Sequence, residues 1–167
     1  ITGAESVTWW VDYEKNKFGT YKTKDATHFL FHQPLETNLE YGESFGKSSH
    51  SILPSIIGHE TDLSIQTIIE LTQKQNGIMP STLPKIPSGI EILAVGFMKE
   101  EADLPENFLN YFGQNNLNEK AVSEVFLWHR PQGGKVFNVG SVAAPWPLHV
   151  DEKYAKLILN VLHYFNI

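Results

Sequence analysis

The densest group of titratable side chains in the chain is the run Gly58-His59-Glu60-Thr61-Asp62. It follows Ser55-Ile56-Ile57, a short apolar stretch entered from Pro54 and ended by Gly58, which predicts a buried strand. In open α/β sheets the carboxyl ends of strands are where ligands usually bind. A carboxylate held there sits half in apolar surroundings, and desolvation raises its pKa toward the range useful for proton transfer. Glu60 is therefore a candidate general acid or base, with His59 as a second titrating group. The competing reading is structural: Asp62 caps a following helix, Thr61 assists it, and Glu60 is solvated at a strand end. Cap and site can coexist.

Other residue types suggest weaker chemistry. His28 and His32 are four apart, which puts them on one face of a helix or a strand, as zinc ligands often are. No Glu follows His28 in the HExxH manner, so an ordinary mixed surface explains them equally well. His129 and His149 flank a hairpin without a nearby acidic partner, and no metal ligand is assigned. Ser141 follows Gly140 at a strand end, where its hydroxyl could bond a substrate or a carboxylate, or simply close a turn. No G-x-S-x-G elbow occurs to make a serine nucleophile. Trp9-Trp10 with Tyr13, and Trp146 between Pro145 and Pro147, could stack on a planar or sugar-like ligand or serve as core packing. No glycine-rich phosphate loop is present, which disfavours a nucleotide cofactor. Having no cysteine, the chain has no thiol nucleophile, disulfide or thiolate metal site.

The elements that must position these groups follow from composition and period. The 167 residues are 41% hydrophobic and 19% charged, enough apolar surface for one folded domain spanning residues 1–167. A net charge of -6 opposes nucleic acid and acidic membrane surfaces as partners. No apolar run approaches the ~20 residues of a membrane span, and no signal-peptide pattern opens the chain, so a soluble, cytoplasmic protein is expected.

Residues 25–33 are ambiguous between helix and strand. A helix is predicted from Asp62 as N-cap through Ile65, Ile68, Ile69 and Thr72 to a stop at Lys74 and Asn76-Gly77. The β-branched isoleucines leave a strand as the alternative. Three prolines make Asn76 to Gly89 a surface loop. Glu91 to Met98 reads as a central strand covered on both faces. Glu124 to Arg130 and Lys135 to Gly140, joined by Pro131-Gln132-Gly133-Gly134, read as an antiparallel hairpin. From Asp151, the stripe Tyr154, Leu157, Ile158, Val161, Leu162 and Phe165 predicts a closing amphipathic helix. The sum is a layered α/β domain whose strand directions stay undecided.

Several of these pieces together resemble a known family. They are the ITGAES start, Phe45-Gly46, the G-x-E-x-D run at 58–62, the Glu91 to Gly96 strand, and GGKVFNVGSV at 133–142 before a helix containing Leu159-Asn160-Val161-Leu162. In this order and spacing they resemble the C-terminal domain of the large subunit of N,N-dimethylformamidase, over most of the chain. Hairpins of this kind also occur in trehalose-utilisation-like proteins.

The resemblance implies a class I glutamine amidotransferase-like (flavodoxin-like) fold with a mostly parallel sheet, possible to meet here in a form incomplete at its N-terminus. It implies a hydrolase of small amide C–N bonds with Glu60 in the active site. It also implies a mononuclear iron held by two tyrosines and a glutamate that activates water. The iron ligands lie earlier in the family's chain, and none of Tyr13, Tyr21 or Tyr41 is assigned as one. The candidate site is thus Glu60 and His59 for catalysis, with Asp62, Asn138 and Ser141 for substrate binding. The chain begins at Ile1 rather than Met, which leaves open a removed signal, tag or preceding domain; since the family's pattern starts earlier, the resemblance implies that the chain is the C-terminal part of a larger protein. It would then be completed by that missing part or by a second copy of itself.

Overall fold

Two long strands, β5 (Ile90–Phe97) and β6 (Ala121–His129), pair antiparallel at the centre of the protein. The computed structural model describes residues 4–8, 19–48, 55–57, 61–76, 87–97 and 121–167. Around the central pair, β2 (Tyr21–Thr23), β3 (Ser44–Phe45) and β7 (Lys135–Asn138) complete a five-stranded sheet in the order β3-β2-β5-β6-β7. A separate two-stranded ladder joins β1 (Ala4–Thr8) to β4 (Thr61–Ser64). The α-helices among the described residues are α1 (Ile65–Asn76) and α2 (Glu152–Tyr164). The chain is thus mixed α/β.

Every ladder among the described residues is antiparallel. The mostly parallel sheet implied by the family resemblance is not found among them. The β6–β7 connection shows one reason: the five residues 130–134 can only reverse the chain, whereas parallel neighbours need a crossover of about a dozen or more. The predicted hairpin is present, with His129 opposite Lys135 and Trp128 opposite Val136. Gly133 and Gly134 both take positive φ (87° each) in its turn, where a side chain would be strained.

The central strand is also where the apolar run placed it. Leu93 and Ala94 of β5 and Val125, Phe126 and Leu127 of β6 have no exposure. Gly96 is needed for close approach: a Cβ there would lie 2.6 Å from Ile57 Cδ1 and 2.9 Å from Ser123 Cβ. Helix α2 closes one side, burying Tyr154, Leu157 and Val161 as the stripe predicts, while Leu162 stays 38% exposed. Asp151 is its N-cap, with Oδ1 accepting the Tyr154 amide at 3.1 Å.

Two local expectations are corrected. Asp62 does not cap α1: it lies in β4 opposite Ser6, and the strand runs straight into the helix. The capping group is Ser64, whose Oγ accepts the Thr67 amide at 3.2 Å. Pairing with β1 holds residues 61–64 extended, so the helix can begin only at the next hydroxyl along the chain. The strand expected at 55–58 is reduced to single bridges, Ser55 with Lys47 and Ile57 with Gly19. The ambiguous run at 25–33 is a turn leading into a short 3₁₀ segment, Phe29–Phe31. Its Leu30 and Phe31 are fully buried beneath α2.

Candidate functional site

The junction between β4, β6 and the turn after β7 gathers three of the five residues expected in the site. The Asp62 amide donates to the Gly140 carbonyl at 2.9 Å, and Thr61 bridges to Ser141. Ser123 of β6 adds a second donor to the same carbonyl. Gly140 has φ +67°, and a Cβ there would collide with the Glu124 carbonyl and the Ser123 hydroxyl. Only glycine lets the turn approach β6 this closely. Asn138 stabilises the turn from within, its Oδ1 accepting the Gly140 amide. The Ser141 hydroxyl is 7% exposed; it donates to the Ile56 carbonyl at 2.6 Å and accepts the Ala143 amide at 3.2 Å. Asp62, Asn138 and Ser141 are thus neighbours, joined through the Gly140 backbone. Glu60 and His59 lie outside the described residues.

Two further polar groups belong to this junction and carry no sequence motif. Tyr21 is fully buried; its hydroxyl donates to the Val139 carbonyl and lies 3.2 Å from Ser123 Oγ. Burial holds its phenol far above the ordinary range, an effect opposed by the Ser123 bond and reinforced by Tyr154 and by the Asp62 carboxylate. Tyr21 is therefore a neutral donor. Glu124 is 4% exposed, with Oε2 accepting the Ser64 amide at 2.8 Å and Oε1 the Thr67 hydroxyl at 2.7 Å. A carboxylate at this place faces the amino end of α1, where helix amides and the dipole favour negative charge. Its only sequence signal is an acidic residue inside a run otherwise fit for burial.

The histidine pairs resolve differently from their spacing. His28 and His32 do not converge. His32 Nδ1 lies 2.9 Å from Glu36 Oε2 and its Nε2 2.8 Å from the Ala26 carbonyl, and these contacts raise its pKa. His28 instead faces Glu91 of β5, at 3.2 Å from Oε2. His129, expected to lack an acidic partner, has the same one: its Nε2 lies 3.5 Å from Glu91 Oε1. The cause is register, since β5–β6 pairing sets Glu91 opposite Leu127, two residues from His129. His149 is exposed in the 3₁₀ turn Trp146–His149.

The described residues do not supply the ligand set that the resemblance implies for iron. Tyr21 spends its hydroxyl on Val139 and Ser123, and Tyr41 is 80% exposed on the surface. Among the described residues no group of three His, Asp or Glu side chains converges as a metal site. Two open depressions lie away from the junction. One, of about 480 Å³, is lined by Lys47, Val150 and Asp151 among others; the second, of about 450 Å³, by Phe29, Gln33, Pro34, His163, Tyr164 and Asn166. No helix among the described residues is long and apolar enough to cross a membrane. No family model, curated protein or solved structure matches the chain.

Proposed function

We propose that the chain is a hydrolase-like domain acting on the C–N bond of a small amide, on a glutamine amidotransferase-like scaffold, with Glu60 as its proton-transfer group. The observation that supports this reading is the hydrogen-bonded junction between two segments far apart in sequence. Thr61-Asp62, directly after Glu60 in the chain, is tied through Gly140 to Asn138 and Ser141. An acid directly before such a junction has the half-buried Asp62 two residues on as a polar group to orient an amide. Asp62 is half-buried there and carries negative charge close to the neutral Tyr21. His59 is the second proton carrier.

Hydrolysis of a panel of small amides by the full chain, followed by ammonia or amine release, tests the reading. Glu60→Gln should lower kcat by about 10²-fold or more, the usual contribution of a general acid or base. Asp62→Asn should mainly raise KM. Turnover that survives Glu60→Gln unchanged removes Glu60 from the reaction.

A second reading is favoured by a different surface. Val142, Trp146, Leu148 and Val150 are 53%, 39%, 39% and 46% exposed within nine residues of chain, an apolar strip suited to binding a sugar face or a protein. In that reading the fold is a binding module without catalysis. Trp9 and Trp10, the other aromatics assigned to it, lie outside the described residues. Quenching of Trp146 fluorescence by an oligosaccharide, with no amide turnover, would favour this module over the hydrolase.

A further inference from the structure

At the other end of β6 from the Gly140 junction, residues from three separate stretches of chain meet: His28, Glu91 of β5 and His129 of β6. Glu124 and His129 are five residues apart on one strand, so roughly 17 Å of sheet separates this cluster from the junction. The His28 side chain is 5% exposed. Its Nδ1 accepts the Leu30 amide at 3.3 Å, which makes His28 the N-cap of the Phe29–Phe31 turn. An imidazole nitrogen that accepts carries no hydrogen, so the neutral ring holds its proton on Nε2, facing Glu91. That approach, at 3.2 Å, is within ion-pair range but off the hydrogen-bond line, leaving Nε2 a buried donor without an aligned acceptor. The same tautomer argues against a metal on Nε2, where a lone pair would be needed.

A second proton can go only on Nδ1, where it points at the Leu30 N–H. Two donors then face each other and the cap cannot survive. The groups facing the ring divide over this event. Burial disfavours the charged form and His129 adds repulsion, while Glu91 on β5 and Asp25 on the preceding turn favour it. Behind His129 stands Tyr164 of α2, its hydroxyl 3.4 Å from the His129 Nε2 and its ring under the Lys135 ammonium of β7 at 3.7 Å. The rest of the segment is held by a group that does not titrate. Asn160 of α2 accepts the Leu35 amide at 2.9 Å and donates to the Leu30 and Leu35 carbonyls at 2.8 Å each.

We propose that His28 is an acid-released latch: neutral, it secures the start of the Phe29–Phe31 turn, and protonated, it frees the Leu30 amide while Asn160 keeps the segment on α2. Phe29 moves with that turn. Its ring packs on Tyr164 with centroids 4.9 Å apart, and both rings line the depression of about 450 Å³. Acid therefore loosens one wall of that depression without unfolding the domain.

Amide hydrogen exchange by NMR on the full chain, from about pH 7.5 to about pH 5 and corrected for intrinsic rates, tests the latch. As pH falls below 6.5, the ordinary value that the released ring regains, toward the lowered pKa of the latched ring, the opening constant of Leu30 should rise toward about tenfold per pH unit, one proton being taken up. Leu35, held by Asn160, should keep its protection. His28→Asn retains a capping oxygen without the titration, so Leu30 should then be insensitive to pH. A parallel loss of protection at Leu30 and Leu35 overturns the proposal, as does an unchanged rise in the variant or no rise in the parent. Ring nitrogen shifts of His28 in the parent give an independent check. Protonated Nε2 and bare Nδ1 at the higher pH are expected, and the opposite tautomer rules the latch out.

Discussion

The Glu124 carboxylate receives the backbone amide of Ser64 at 2.8 Å, across sixty positions of sequence. That bond joins the central sheet to the point where β4 becomes α1. The same side chain takes the Thr67 hydroxyl, so one buried acid satisfies two groups at the helix start. Replacing it with glutamine keeps the shape but swaps one acceptor oxygen for a donor, which either opposes the Ser64 N–H or forces the Thr67 hydroxyl to turn its proton away and lose its acceptor. Glu124→Gln should lower unfolding free energy by about 1–3 kcal/mol, read from urea denaturation. Thr67→Val, which removes a hydroxyl that donates to Glu124 and accepts from Ser64 Oγ but leaves the Ser64 amide bond in place, should cost less. Equal losses in the two variants would mean that the amide bond is not the important one.

Gly140 and Gly133 separate two ways in which a glycine can be required. Both have positive φ, +67° and +87°, but a Cβ at Gly133 meets nothing within 4 Å, whereas at Gly140 it meets the Glu124 carbonyl and the Ser123 hydroxyl. Gly133→Ala should therefore cost about 1 kcal/mol of backbone strain. Gly140→Ala should exceed that clearly, because backbone on β6 must move, and should disturb the amide resonances of Asp62 and Ser123. Thermal melts of the two variants measured together make the comparison.

How much of this was legible in the sequence depended on range. The hairpin, the β5 segment and the α2 stripe follow from local period and turn chemistry, and the structure has all three. Asp62 as a cap failed because nothing local distinguishes it from Ser64; pairing of β4 with the distant β1 decided where the helix began. The shared partner of His28 and His129 is hidden for the same reason, since Glu91 reaches His129 through the β5–β6 register and His28 through the path of the turn after β2. The approach of residues 61–62 to 138–141 rests on long-range pairing that no local property of these residues announces. Outside the hairpin, strand direction has no local signal, and tertiary pairing alone fixes it.

Asn160 is the polar residue that the helical stripe concealed. It lies between Leu157 and Val161 on the buried face of α2, with no exposure and three hydrogen bonds to the backbone of residues 30–35. Asn160→Leu would pack with little change in volume yet leave one amide and two carbonyls without partners. The cost should reach about 2–4 kcal/mol, since each unsatisfied buried group carries a penalty of about 1–3 kcal/mol that water only partly relieves. Hydrogen exchange at Leu35 should accelerate more than at any amide of β6. If denaturation shows a loss below about 1 kcal/mol, the 30–35 segment is not anchored through this side chain.

Two histidines four residues apart should titrate on opposite sides of the ordinary value of 6.5. Burial lowers His28, whereas the Glu36 carboxylate and the Ala26 carbonyl raise the exposed His32. The signs of their contributions to stability differ accordingly. For His28 the unfolded chain binds the proton more readily, so stability is full above 6.5 and declines as pH falls from there toward its folded pKa. For His32 the folded chain binds it more readily, so its contribution is present below 6.5 and is lost as pH rises through the folded pKa. Salt separates them further: at about 1 M the screening length is ~3 Å, which weakens the exposed His32–Glu36 pair and leaves a burial effect nearly intact. Proton NMR titrations at about 0.1 M and about 1 M salt should therefore show His32 moving back toward 6.5 and His28 staying below it. Convergence of both on 6.5 would mean that His28 is solvated, and with it the cap on Leu30 would be lost as an explanation of how the turn is held.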